Sequence, residues 1–297
     1  METKMSRKRR LTASVFALVT AFSFAVIGAP PGAAATTPIS FQFTTVVDAT
    51  AVGGSSSTPM RVIYQFNPDL APGSGLSGSG ENFASYGPLE KIIFEVGSQC
   101  VALAGAGTDI TVFDNAGTTF VEDSYNVRAS DAAVAGKTVF GLNLELARFL
   151  LVDNQATMFS DTSLPTSPEF ADAADFQQSA LQLRNPTTNR RTTVSAAQDA
   201  PFQLGRFDPH GSIGEIIDEV NALPVSSDLK AKLVAPLEKA RTLLEGTLLQ
   251  KNIKQARGSL EDFIKIVHTN RNRLGQEAAA SLRNSALFVI DELPACA

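Results

Sequence analysis

The sequence holds only two histidines, His210 and His268, and this limits the acid–base chemistry open to it. His268 ends the stretch SLEDFIKIVH, which also carries the adjacent acids Glu261 and Asp262. Nucleophilic Ser-His-Asp or Cys-His chemistry needs a histidine held beside the nucleophile. On a helix the two acids diverge by about 100° and cannot act on one atom. His210 lies in FDPHGS, a setting typical of a solvated loop. We therefore expect a protein that is not an enzyme.

Other signatures of catalysis are weak. The sequence has no GxSxG motif and no histidine and cysteine spacing typical of zinc. Glycosidase chemistry needs only two carboxylates, and acids are too plentiful here to single out a pair. A hydrolase with an unrecognised carboxylate site remains the least favoured alternative.

Four aspartates are candidate calcium ligands. They stand near the ends of predicted strands in an acidic region, where carboxylates and backbone carbonyls are the oxygen ligands that calcium prefers. No EF-hand or repeat spacing supports the site, so solvated loop acids are the competing interpretation. Calcium is the only cofactor that the sequence suggests. The candidates are Asp109, Asp114, Asp123 and Asp153.

The two cysteines, Cys100 and Cys296, are a candidate disulfide. Such a bond would join the middle of the first region to the tail of the chain, and it suits an oxidising compartment. Two free thiols, or an intermolecular bond through Cys296, remain open because sequence cannot give the geometry that a disulfide requires.

The N-terminus predicts export. Five basic residues precede an uncharged apolar run at 11–29, and a small-residue site follows at Ala33–Ala35. This is the pattern of a secretory signal peptide over residues 1–35, cleaved near Ala35. The run is also long enough to remain as a membrane anchor, which is the alternative. No later stretch predicts a membrane span, so we expect a secreted or extracytoplasmic protein that meets the membrane only during export.

The charge disfavours nucleic acid as a partner. The net charge is −5, and residues 1–35 hold five of the 25 basic and one of the 30 acidic residues, so their removal would leave −9. A chain this acidic is repelled by a phosphate backbone.

Residues 36–185 predict an all-β, antiparallel, sandwich-like domain. Short segments rich in β-branched and aromatic residues alternate with Gly, Ser, Pro, Asn and Asp. Residues 186–211 are polar and without steady period, and predict a linker. Predicted strands are ISFQFTTVV, MRVIYQF, LEKIIFEVG, DITVFDN, KTVFGLNLEL and SALQLR.

Residues 212–297 predict an all-α antiparallel helical bundle. The apolar period changes to 3.6, and short connections join four helices. In SLEDFIKIVH the apolar residues share one face, Glu261 can pair with Lys265, and His268 falls in the last turn. Pro236 interrupts the second helix. Thr247 and Gln250 form a capping-box signature. The expected core positions are Leu233, Leu237, Leu260, Phe263, Ile264 and Leu282.

These helices resemble the FIMAH domain family. The resemblance rests on a leucine-and-alanine helix, a break at Gly246, the segment QARGSLEDFIKIVH and an Ala-rich closing helix. It covers about 80 residues, while Pro236 and the loop HTNRNRLGQ depart from the pattern. The family implies a helical module appended to secreted and surface proteins, with no catalytic residue of its own. The β region is similar, more distantly, to β-rich domains of exported bacterial proteins.

The sequence favours a bacterial cell-envelope or extracellular interaction protein, with an extracellular protein or glycan as its partner. A carbohydrate- or calcium-dependent binding module is the alternative. Exposed aromatic rings commonly bind sugars, yet the chain has no Trp and three Tyr, and its 19 Phe are expected in the core.

Overall fold

Two antiparallel sheets come first along the chain, and helices follow. The computed structural model describes residues 37–73, 82–116, 122–246 and 248–296, which form one compact unit. The predicted signal peptide, the Gly/Ser-rich stretch at 74–81 and Thr247 lie outside the described residues. The strands are β1 (Ile39–Val47), β2 (Thr58–Phe66), β3 (Asn82–Tyr86), β4 (Lys91–Val96), β5 (Gln99–Leu103), β6 (Thr108–Ala116), β7 (Glu122–Ser130), β8 (Thr138–Val139), β9 (Leu142–Asp153), β10 (Phe176–Arg184), β11 (Arg191–Ser195) and β12 (Gln203–Arg206).

The strands divide between a five-stranded and a seven-stranded sheet. The first has the order β12-β1-β2-β4-β5. The second has the order β11-β10-β9-β7-β6-β3, with β8 paired to β9. One face of each sheet contributes to a shared hydrophobic core. The rings of Phe43 from β1 and Phe149 from β9 stack across it, with centroids 4.5 Å apart.

The expected linker at 186–211 is corrected, because it contains β11, β12 and the start of the first helix. Both strands lie at sheet edges. An edge strand is half solvated, so its sequence stays polar and resembles a loop. In β11 only Val194 is buried. The expected strand KTVFGLNLEL is likewise divided, because Phe140 and Gly141 both have positive φ and form a two-residue turn between β8 and β9.

The helical region begins at Asp208, whose carboxylate accepts a hydrogen bond from the Gly211 N–H and caps the first helix. Pro236 lies inside the second helix, as predicted. The third helix starts after Leu249 without a side-chain cap. None of the helices in the described residues is apolar over a membrane-spanning length. The helices are α1 (Pro209–Ala222), α2 (Ser227–Leu243), α3 (Gln250–Thr269), α4 (Arg271–Leu274) and α5 (Gln276–Glu292).

The second hydrophobic core lies between the helices and the five-stranded sheet. Ile63 of β2 and Ile93 of β4 are buried in it, on the opposite face of the sheet from Tyr64 and Phe94. The central strands of this sheet are therefore buried on both faces. Of the expected helical core positions, Ile264 is half-buried. The fully buried ones are Leu233, Leu237, Leu260, Phe263 and Leu282.

Candidate functional site

Polar side chains on the outer face of the five-stranded sheet hold the turn between α2 and α3. The Gln65 amide donates to the Gly246 carbonyl (2.9 Å) and accepts from the Leu248 N–H (3.1 Å). The Lys91 ammonium donates to the Leu248 carbonyl. Gln65 is only 3% exposed, so both halves of its amide need these partners.

A second set of contacts holds the C-terminus of α5. Arg61 forms an ion pair with Glu95. It also donates to the carbonyls of Asp291 (3.3 Å) and Glu292 (3.0 Å). A cation at a helix C-terminus complements the partial negative charge of the last carbonyls. Glu95 in turn accepts from the Ala295 N–H. The sheet thus fixes the end of α5.

Cys100 of β5 and Cys296 are joined as a disulfide, with Cα atoms 5.4 Å apart. The bond lies beside the Arg61–Glu95 pair, because the Cys100 sulfur is 3.6 Å from a Glu95 oxygen. A covalent bond and an ion pair therefore reinforce the same junction between the sheet and the end of α5.

A groove between α1 and α5 carries an exposed aromatic ring. It encloses about 490 Å³, and its apolar floor includes Ile216 and Val289. Phe288 at its wall is 60% exposed, and Leu249 is the only other large apolar side chain exposed to a comparable degree in the described residues. Glu215 and Glu219 also line the groove, and no basic side chain does. The groove is an apolar cleft with a negative rim.

The histidines are not brought together with a nucleophile. The Arg241 guanidinium donates to His210 Nε2 (3.2 Å) at the start of α1. His268 is exposed in the last turn of α3. Within the part of the chain that the structure describes, neither histidine has a hydrogen bond to a hydroxyl, thiol or carboxylate.

The stretch SLEDFIKIVH lies within α3, and its ion pair differs from the expected one. Lys265 pairs with Asp262 at 2.9 Å and not with Glu261. The hydrogen bond from the Lys265 ammonium lowers the pKa of the Asp262 carboxyl. Both side chains are exposed, so the pair belongs to the solvated face of the helix.

The four candidate calcium ligands occupy two places. Asp109 pairs with Arg128 at 2.8 Å. The other three are buried on adjacent strands of the seven-stranded sheet: Asp123 and Asp153 are cross-strand partners, and Asp114 lies at a bulge opposite Asp123. Among the described residues, no group of three or more His, Cys, Asp or Glu is arranged to hold a metal ion.

Asp153 organises the loop that follows β9. One carboxylate oxygen accepts from the Gln155 N–H (2.8 Å), and the other accepts from the N–H groups of Thr157 (2.6 Å) and Met158 (2.8 Å). Burial alone raises the pKa of this carboxyl, but the hydrogen bonds from Thr157, Gln155 and Met158 outweigh it and lower the pKa. The neighbouring Asp123 accepts from the Phe159 N–H (2.8 Å).

All three tyrosines are buried, so none of them offers a ring to a sugar. Tyr64 and Tyr125 are fully buried, and burial raises the pKa of both hydroxyls. Tyr86 donates from its hydroxyl to the Thr162 carbonyl (2.6 Å).

No protein-family model, no curated protein and no solved structure matches the chain.

Sequence reasoning missed Phe288, the most exposed large apolar side chain of the described helices. A signal for it was present. The apolar stripe of the last helix contains Val289 and Ile290, and Phe288 falls outside that stripe at 100° per residue. Phe288 is a candidate contact residue because it adjoins Ile216 and Val289 in the groove.

Proposed function

We propose that the protein is a secreted, non-catalytic interaction protein of the bacterial cell envelope. In this proposal a β-sandwich supports an antiparallel helical bundle of the FIMAH type, and the groove between α1 and α5 binds a partner protein. The preferred partner segment carries an apolar side chain flanked by basic residues. The apolar residue packs on Phe288, and the basic residues face Glu215 and Glu219.

The observation that carries the proposal is the exposure of Phe288 in an acid-rimmed groove. Exposing an aromatic ring costs free energy that burial against a partner recovers, and aromatic residues dominate the binding energy of many interfaces. Electrostatic complementarity selects the partner, because acids without local basic neighbours favour an approaching cation. The groove is therefore matched to a helix or extended segment of mixed apolar and basic character.

The sheet contacts support the same function by fixing the groove. α5 is held at its C-terminus by Arg61 and by the bond between Cys100 and Cys296. A wall that is already ordered loses little conformational freedom on binding, and this improves affinity.

The test is a display library of peptides with basic-apolar, acidic-apolar and uncharged polar compositions, probed with the full chain. We expect selection of the basic-apolar class. Phe288→Ala should weaken the selected peptides more than about tenfold, in the manner of an interface anchor. Leu249→Ala is the matched control, because it removes an exposed apolar side chain outside the groove and should leave binding unchanged. Equal losses in both variants, or turnover of peptide or polysaccharide substrates, would contradict the proposal.

A calcium- or carbohydrate-dependent module is the second candidate. It rests on the sequence alone, because Asp114, Asp123 and Asp153 are buried on adjacent strands but form no group arranged to hold a metal ion. Calcium there would raise the melting temperature, since a ligand that binds only the folded state stabilises it. An unchanged melting temperature after EDTA treatment, together with no binding on a glycan array, would reject this candidate.

A further inference from the structure

A cleft on the opposite side of α5 from the groove is lined by cations. It lies among the end of α3, α4 and the start of α5, and encloses about 460 Å³. His268, Arg271 and Arg283 line it, and no acidic side chain does. Its remaining walls are Val267, Gln276, Ala279 and Ala280.

The two arginines are available to a ligand. Both are exposed, and neither forms an ion pair within the described ranges. Arg273, their neighbour in α4, instead donates to the Ser226 hydroxyl (3.2 Å) and does not line the cleft. The cleft therefore has basic but no acidic walls, although the chain as a whole carries a net charge of −5.

The cleft combines a basic wall with an apolar floor. Arginine presents a planar set of donors that matches the oxygens of phosphate and sulfate groups. Val267 and Ala279 are buried beneath and provide apolar contact. Its volume lies within the range of roughly 300–1,000 Å³ found for pockets that hold small organic molecules. The ligand is therefore expected to be larger than a bare ion.

We propose that this cleft binds a small molecule bearing a tetrahedral oxyanion, such as a phosphate or sulfate monoester of a sugar. Arg271 and Arg283 hold the anion, His268 and Gln276 add hydrogen-bond donors, and the small side chains of Ala279 and Ala280 leave room for the organic part. This site is separate from the groove between α1 and α5 and does not depend on the function proposed there.

The test is titration of the full chain by calorimetry with glucose 6-phosphate, glucose 6-sulfate, inorganic phosphate and unmodified glucose. We expect saturable binding of at least one ester at millimolar concentration and none of glucose. The tighter of the two esters shows whether the cleft prefers phosphate or sulfate. Binding of inorganic phosphate as tight as that of the ester would overturn the contribution assigned to the apolar floor.

Two kinds of variant locate the binding. Arg271→Gln and Arg283→Gln should each weaken the ester about tenfold, since each removes hydrogen bonds to a charged group. Ala280→Leu should also weaken it by filling the cleft without changing any charge. Arg273→Gln is the charge-matched control and should bind as the wild type. Thermal melts of each variant confirm that it is folded.

Absence of saturable ester binding to the wild-type chain would overturn the proposal. So would an equal loss in Arg273→Gln, because it would assign the binding to general surface charge. Phe288→Ala should leave ester binding unchanged, and this separates the result from that of the peptide experiment.

Discussion

Asp153 is one carboxylate on which a whole loop depends. It accepts three backbone N–H groups and the Thr157 hydroxyl, all within five residues along the chain. From the sequence it could be singled out as a residue with chemistry, but a turn-forming aspartate and a calcium ligand have the same local composition. Only the positions of the N–H groups distinguish the two, and these depend on how β9 ends against β7.

Asp153→Asn should lower the free energy of unfolding by about 2 kcal/mol near neutral pH, because an amide nitrogen cannot accept these hydrogen bonds. The pKa of Asp153 is lowered in the folded state, so its contribution is complete above the unfolded pKa of about 3.9 and is lost as the pH falls through the folded pKa. Urea unfolding of wild type and variant should therefore converge in acid. Asp199→Asn, at an exposed site, is the control. A difference that stays constant with pH would contradict the assignment.

At the scale of the element, the helices could be predicted more closely than the strands. The apolar period of 3.6 residues identifies α3 and its buried face, because this helix is long enough for its apolar stripe to repeat over several turns. The sequence indicates the strands less clearly than the helices. β11 and β12 are short, polar and at edges, so their sequence does not differ from that of a loop. β2 and β4 contain the runs VIY and IIF, and continuous apolar runs are typical of strands buried on both faces. That signal for a second covering layer was present in the sequence.

The site was less predictable than the fold. The groove and the cleft each combine residues from two or more elements, so their composition depends on how helices pack. Phe288 stands out only once the core face of α5 is known, and Arg271 differs from Arg273 only by which side of α4 it occupies. Neither distinction is encoded in residue type.

Two phenylalanines of the helices, one buried and one exposed, should differ in their effect on stability. Phe263 of α3 is fully buried, whereas Phe288 of α5 is 60% exposed. Phe263→Ala should lower the free energy of unfolding by about 3–5 kcal/mol, since it opens a cavity in the core. Phe288→Ala should change it by less than about 0.5 kcal/mol. Chemical denaturation of both variants measures the two values, and a similar loss in each would contradict the packing described.

At the scale of the whole molecule, the five-stranded sheet is shared by two hydrophobic cores. Its inner face packs against the other sheet through Phe43, and its outer face packs against the helices through Ile63 and Ile93. Gln65, Lys91 and the pair of Arg61 with Glu95 surround the second contact. Cooperative unfolding of both regions is the expected consequence.

The disulfide should stabilise that arrangement against separation. Cys100 and Cys296 are 196 residues apart, so the bond restricts a long segment of the unfolded chain. Replacing both by serine should lower the free energy of unfolding by about 2–5 kcal/mol. Dithiothreitol should bring the wild type to the stability of the double variant and leave the variant unchanged. A reductant effect of equal size on both proteins would contradict the bond.

The two-sided burial of β2 and β4 also bears on how this architecture could be recombined. A helical module that is transferred between proteins must be separable, so that dividing the chain exposes no buried apolar surface on either part. Here a cut before α1 would expose Ile63 and Ile93 and remove the backbone partners of the Gln65 amide. It would also leave Cys100 without its disulfide partner. Any other sheet that received these helices would need an apolar outer face of the same shape. We therefore expect the helices of this chain to fold stably only together with this sheet, in contrast to the separable module that the FIMAH resemblance implies.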